Sequence, residues 1–189
     1  MRTWMFAPVL ALLAMSGQAA DYTIDPKHTR VTFEINHFGF STFRGQFSQA
    51  SGRVAYDPGA KSGSVEVSFP VASARTQDAE LDQHLQTADF FDAASHPNVT
   101  FRSKAMNFEG GKLKSIDGDL TIRGKTRPVR LTVTAVNCGP HPIYKFPACG
   151  ADAETKIKRS EFGVSGYLPN IGDEVRLVIS VEAHDKSKQ

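Results

Sequence analysis

The chain has 189 residues, of which 40% are hydrophobic and 22% charged, a balance typical of a globular protein. Its 22 basic and 20 acidic side chains give a net charge of +2, which predicts neither a nucleic-acid partner nor electrostatic adsorption to a membrane. The length suits a single domain with a substantial core.

The N-terminus has the three parts of a secretory signal peptide, which we place at residues 1–19. One positive charge at Arg2 precedes an apolar run, residues 4–15, that is too short to span a bilayer. Small residues follow, which places cleavage after Ala19 or one residue later. We therefore predict an exported domain over residues 20–189, with an uncleaved anchor as the alternative.

The stretch that follows is unusually rich in aromatic rings. Residues 31–47 hold five of the thirteen phenylalanines of the chain. Within it, Val31, Phe33, Ile35 and His37 alternate with polar residues, which predicts a half-buried strand whose inner face changes from apolar to polar. A barrel with an apolar hollow needs rings to line it without filling it. A barrel filled by its own side chains is the alternative.

The rest of the chain predicts seven more strands. We place them at residues 43–56, 64–69, 98–108, 112–123, 129–135, 151–159 and 175–181. The first of these contains Ser51 and Gly52, where we predict a β-bulge. Because short turns join most of the strands, we predict an all-β fold, an eight-stranded antiparallel barrel.

One segment between the strands has a different periodicity. Leu81 and Leu85 lie four residues apart and acidic residues precede them, which predicts a short helix over residues 78–87. The adjacent rings of Phe90 and Phe91 follow in a loop, and at least one must reach the interior or a mouth. We expect this helix to cap one end of the barrel.

Two cysteines, Cys138 and Cys149, flank a proline-rich loop without regular structure of its own. After export they would meet an oxidising compartment, where a disulfide closing so short a loop stabilises by about 3 kcal/mol. A metal or redox pair is the alternative. However, the two cysteines are not spaced as CxxC, and His141 is the only other residue between them that commonly binds a metal.

Five blocks in a fixed order resemble the bacterial YceI-like family. They are residues 37–47, 84–91, 96–101, 118–129 and 158–163. The resemblance implies a lipocalin-like barrel that holds an isoprenoid or a similar long-chain amphiphile, in proteins typically exported to the periplasm. The pair Cys138 and Cys149 departs from many members, in which the corresponding turn is not crosslinked.

From these patterns we predict a ligand pocket with an apolar part and a polar mouth. The apolar part comprises Phe33, Ile35, Phe38, Phe40, Phe43, Phe47, Leu81, Leu85, Phe90, Phe91 and Phe162. The polar mouth comprises His37, Arg44, Asp78 and His84. Each polar residue has a structural alternative: a histidine bonded to a backbone carbonyl, a solvated side chain or a helix cap.

Other charged residues are expected at the surface. The basic run Arg123, Lys125, Arg127 and Arg130 lies in and beside a turn, where cations usually serve solubility. Lys158, Arg159 and Glu161 are expected to form surface ion pairs of small value. Neither HExxH nor GxSxG occurs in the sequence, and six scattered histidines do not form a metal motif.

Together with these patterns, the resemblance implies a periplasmic carrier or store for an isoprenoid-type or quinone-like ligand, and we expect no enzymatic activity, metal or cofactor. It would act as a monomer or homodimer, with transient membrane contact for ligand exchange and no nucleic-acid partner. The alternatives are a catalytic barrel acting on a lipid or quinone, and a stress-related structural protein with a filled interior.

Overall fold

The computed structural model describes residues 20–185, so the predicted signal peptide lies outside the described residues. The ten strands in this part of the chain are β1 Ala20–Ile24, β2 Arg30–His37, β3 Ser41–Phe47, β4 Ser51–Asp57, β5 Ser62–Pro70, β6 Asn98–Glu109, β7 Lys112–Ile122, β8 Lys125–Pro140, β9 Pro147–Lys158 and β10 Ile171–His184. One α-helix, α1, spans Ala79–Leu85, and 3₁₀ turns occupy Val71–Ser73 and Arg159–Phe162.

The strands close into an antiparallel barrel. Both β1 and β2 pair with β10, β1 through Thr23 with His184 and β2 through Ile35 with Val175. On their other edge β1 pairs with β4, and β2 pairs with β3. Strands β1 and β2 therefore form one interrupted wall strand, and β3 and β4 form a second. Together with β5 to β10 they make eight wall strands, which confirms the predicted eight-stranded antiparallel barrel.

The two interruptions have local causes. Between β1 and β2, Pro26 has no N–H for the ladder, and the Asp25 carboxylate accepts a hydrogen bond of 2.9 Å from the Lys27 backbone N–H. Between β3 and β4, Gln49 has a φ of 58°. The predicted bulge at Ser51 and Gly52 is wrong, because both residues pair in register with β5. The chain instead breaks at residues 48–50.

The cysteine segment is more regular than the sequence predicted. Strand β8 continues to Pro140 and β9 begins at Pro147, so the expected irregular loop is a hairpin. Cys138 and Cys149 face each other across its two strands and form a disulfide, with Cα atoms 4.1 Å apart. Proline tolerates these positions because they lie at strand ends. The predicted disulfide is confirmed, and the predicted start of this strand at residue 151 is wrong.

This disulfide should contribute measurably to stability. Its bridge has a sequence separation of 11 residues, and a loop of this length restricts the unfolded chain by about 3 kcal/mol. We expect Cys138→Ser with Cys149→Ser to lower the free energy of unfolding by about 2–3 kcal/mol in urea denaturation. The oxidised protein should bind no alkylating reagent before reduction, and two labelled thiols in exported material would contradict this expectation.

The predicted helix is confirmed at Ala79–Leu85, one residue inside its predicted start and two inside its predicted end. Asp78 caps its N-terminus, since the carboxylate accepts hydrogen bonds from the backbone N–H groups of Glu80 and Leu81. The segment around the helix, residues 71–97, borders the free edge of β3. There Gln46 and Arg75 exchange two backbone hydrogen bonds of 2.8 Å.

The buried side chains fall into two clusters. One surrounds Phe101, Leu120 and Phe162, and the other joins Phe47 and Leu85 beneath the helix segment. The helix is therefore fixed to the barrel by apolar packing. Among residues 20–185, no helix is long and apolar enough to cross a bilayer.

Candidate functional site

The barrel encloses an apolar cavity of about 500 Å³. This volume lies in the range of ordinary small-molecule pockets. Strands β2 to β10, the helix and the loop after it all contribute to its lining, mainly through branched aliphatic and aromatic side chains. Because side chains alternate along each strand, every second residue of a wall strand reaches the cavity.

Strand β2 shows how the sequence builds this wall. The side chains of Val31, Phe33, Ile35 and His37 all line the cavity, as their alternation predicted. Phe33 pairs across the sheet with Gly45, where an added Cβ would collide with the Phe33 ring. The glycine therefore leaves room for this ring inside the barrel.

Twelve of the predicted site residues line the cavity. They are Phe33, Ile35, Phe38, Phe43, Phe47, Leu81, Leu85, Phe90, Phe91, Phe162, His37 and His84. The sequence-distant members meet through ring contacts, such as that of Phe47 with Phe91, whose centroids lie 5.4 Å apart. Their binding of a ligand remains a prediction.

Phe40 is a correction, because its side chain does not belong to the cavity lining. It is 91% exposed at the turn between β2 and β3. Phe38 and Gly39 both have positive φ there, at 55° and 75°, so the strand alternation ends before Phe40.

Arg44 is a second correction, because it lies on the outer face of the barrel. Its guanidinium donates a hydrogen bond of 2.8 Å to the Glu34 carboxylate, which also accepts one of 2.9 Å from Arg176. These two hydrogen bonds hold the pKa of Glu34 below its ordinary value.

Asp78, a third correction, is the helix cap and does not line the cavity. Arg44 and Asp78 are therefore not part of the polar mouth.

The cavity opens where its aromatic lining reaches solvent. Phe38 is 49% exposed and Tyr167 is 60% exposed, and both line the cavity. The ring of His84 contacts those of Phe90 and Tyr167, with centroids 4.9 and 6.1 Å away. His37 packs edge-on against Phe38 at 4.6 Å. The mouth therefore lies between the turn after β2, the helix segment and the loop before β10.

The sequence analysis missed Arg159, which lines the cavity and is 6% exposed. Its guanidinium donates hydrogen bonds to the backbone carbonyls of Gly172, Val164 and Ile171, at 2.8, 3.0 and 2.9 Å. Burial lowers the pKa of this guanidinium. The predicted surface ion pair is wrong for Arg159. Its two-residue spacing from the inward-facing Ile157 was the signal that could have shown it.

Arg123, a second arginine that was expected at the surface, links two segments that border the mouth. Arg123 donates hydrogen bonds of 2.6 Å to the Gly163 carbonyl and 2.7 Å to the Ala88 carbonyl. It thereby connects the loop before β10 to the helix segment, the two parts that border the opening. Both acceptors are backbone carbonyls, and Arg123 is not part of the cavity lining.

One group in the described part of the chain could hold a metal ion, at the end of β10 opposite the mouth. Ligand atoms of Asp25, His28 and Glu182 lie within 4.8 Å of one another. His28 is already bonded to Asp25 at 2.7 Å, and this hydrogen bond raises the pKa of the imidazole. Ion pairing among the three side chains accounts for their proximity, and none of them lines the cavity.

Comparison with known proteins decides the family. A model of the YceI-like domain matches residues 22–183, which is nearly the whole described barrel. The chain belongs to the YceI-like family. Among its relatives, Protein YceI of Escherichia coli O157:H7 is 38% identical over 178 residues, which cover 92% of this chain and 91% of that protein.

Solved structures share the barrel of this YceI-like protein. BcnA of Burkholderia cenocepacia superposes with a TM-score of 0.70 at 29% identity, covering 85% of this chain and 99% of that one. A polyisoprenoid binding domain from Saccharophagus degradans superposes with a TM-score of 0.64 over 89% of this chain and 99% of its own. Its 12% identity is informative about the fold alone. The chain is therefore a YceI-like barrel with an apolar interior.

Proposed function

We propose that this YceI-like protein is a periplasmic carrier or store that holds one long-chain amphiphile, with an isoprenoid-type tail in the barrel. The observation that carries this proposal is the apolar cavity of about 500 Å³, which every wall of the barrel contributes to lining. A protein whose barrel served structure alone would have this space filled by its own side chains.

The energetics suit a long apolar tail. Each buried methylene contributes about 0.8 kcal/mol, so roughly ten of them supply about 8 kcal/mol before ordering costs are subtracted. This driving force is nearly independent of the tail's chemistry, because the lining is apolar almost throughout. The tail therefore gives strength, and selection among ligands falls to the few polar side chains of the lining, which include His37 and His84.

The disulfide supports the compartment. A bridge such as that of Cys138 with Cys149 persists in oxidising spaces and is rare in the cytosol. Exposed rings at the mouth, those of Phe38 and Tyr167, support ligand exchange during transient contact with a membrane. Aromatic side chains prefer such interfaces because one end is apolar and the other polar.

The test is native mass spectrometry of the full chain exported by a bacterial host, followed by organic extraction. We expect a mass increment that disappears on denaturation and an extract that contains one class of long-chain amphiphile. Delipidated protein should take up a fluorescent long-chain probe at one molecule per chain. Protein that carries no adduct and also takes up no probe would contradict the carrier function.

A further inference from the structure

The cavity lining has an unusual charge composition. Apart from Arg159, its side chains are apolar, hydroxyl-bearing, histidine or disulfide-bonded, and no lysine, aspartate or glutamate occurs among the residues that line it in the described chain. Arg159 therefore supplies the lining's one permanent charge. A positive charge beside an apolar cavity acts in a low-dielectric setting, where its interaction with an anion is strong.

The guanidinium of Arg159 is bonded to neutral groups. Its three hydrogen bonds go to backbone carbonyls of the loop around β10's start, at 2.8 to 3.0 Å. Within residues 20–185, no carboxylate lies at salt-bridge distance from it. The Asp173 carboxylate attracts this guanidinium from a distance, but it accepts its own hydrogen bonds from the Ser160 backbone N–H and hydroxyl, at 2.9 and 2.8 Å. A buried charge without a direct counter-charge is unfavourable.

Arg159 also lies at the end of the cavity where a headgroup would be. Its acceptor Ile171 pairs with His37 across β10 and β2, and His37 borders the mouth. A guanidinium carries five N–H donors, and three are used by the carbonyls, which leaves two. Two N–H groups on one guanidinium suit the paired oxygens of a carboxylate or phosphate.

We propose that Arg159 selects amphiphiles with an anionic oxygen headgroup, a carboxylate or a phosphate, over neutral ones with the same tail. The inference rests on the proposed function, because it names the headgroup class for the same cavity. The bound anion would form the direct ion pair with Arg159 that no carboxylate among residues 20–185 forms, since Asp173 acts on it only from a distance. His37 and His84 add hydrogen-bonding ring nitrogens at the rim.

The experiment uses delipidated full-length protein and a set of ligands that share a hexadecyl tail. Palmitate, hexadecyl phosphate, hexadecanol and palmitamide compete against one fluorescent probe at pH 7.5. We expect the two anions to bind about tenfold more tightly than the alcohol and the amide. Lowering the pH below the carboxyl pKa, ordinarily about 4.3, should remove the advantage of palmitate while that of the phosphate persists, because arginine stays charged.

The variant Arg159→Gln should reduce the preference for either anion to less than twofold while hexadecanol binding changes little. Its matched control is Lys158→Gln, an exposed neighbour on the outer face, which should keep the tenfold preference. Equal wild-type affinity for all four ligands overturns the inference and leaves the carrier function intact. Failure of the wild-type protein to bind any of them overturns the carrier function itself. If Arg159→Gln does not fold, the wild-type preference and its pH profile decide.

Discussion

Replacing Gly52 by alanine is expected to lower the free energy of unfolding by about 3 kcal/mol or more, an unusually large effect for one methyl group. Gly52 has a φ of 148°, which L-residues rarely adopt. A Cβ at this position would fall on the Glu66 carbonyl oxygen and lie 2.9 Å from the Val67 Cα. Because these neighbours are backbone atoms of β5, no side-chain rotation can relieve the collision.

The expected structural consequence is local separation of β4 from β5. Gly52 pairs with Val67, a cavity-lining residue, so the wall of the barrel itself would be disturbed. Urea denaturation and amide exchange of β4 measure the effect. The matched control is Gly139→Ala, since a Cβ there meets nothing within 4 Å. A loss below 1 kcal/mol at Gly52, comparable to that at Gly139, would show that the strand pair can shift to admit the methyl group.

Much of the barrel could be predicted from the sequence because its walls follow one simple period. Alternation in β2 placed Val31, Phe33, Ile35 and His37 on the cavity face, and the same rule held for Val175 to Val181 in β10. The helix was visible because Leu81 and Leu85 changed that period. Such periodic patterns can be recognised in a single sequence because they depend only on residues that are neighbours along the chain.

The predictions that were wrong depend on contacts between distant residues or on single backbone angles. Phe40 looked like part of the aromatic wall, but two residues with positive φ turn the chain before it. Arg44 was expected at the mouth, yet its partner Glu34 lies on the outer face of the neighbouring strand. Arg159 was judged by its charge, although its acceptors lie 5 to 13 residues further along.

The interruption between β3 and β4 connects the fold to the candidate site. Strand β3 does not pair with β5, the strand beside β4. The free edge of β3 instead pairs with Arg75, and the helix segment occupies that side of the wall. This segment brings Leu81, Leu85 and Phe91 to the cavity. One part of the cavity wall is therefore a short helix and a loop, which depend on side-chain packing more than on a strand ladder. We infer that ligand entry is easiest beside this segment.

Filling the cavity from one wall gives the largest expected effect on binding. Ala153 in β9 lines the cavity, is 8% exposed and pairs with Val133 and Ile179, which also line it. A phenylalanine at this position would extend its ring into the space proposed for the tail. Displacing about three methylenes at 0.8 kcal/mol each should weaken binding of hexadecanol by roughly 50-fold.

Stability is the second measurement on Ala153→Phe, and it separates a hollow barrel from a filled one. In a hollow barrel the new ring buries apolar surface in existing space, so the melting temperature should stay the same or rise. In a filled barrel the ring would overpack the core and cost about 1–3 kcal/mol. Lys156→Phe is the control on the outer face of the same strand, where the lysine forms an exposed ion pair with Glu174 at 2.7 Å. It should leave hexadecanol binding unchanged. Destabilised Ala153→Phe protein with unchanged binding would place the tail outside the barrel, whereas stable protein with weakened binding places it beside Ala153.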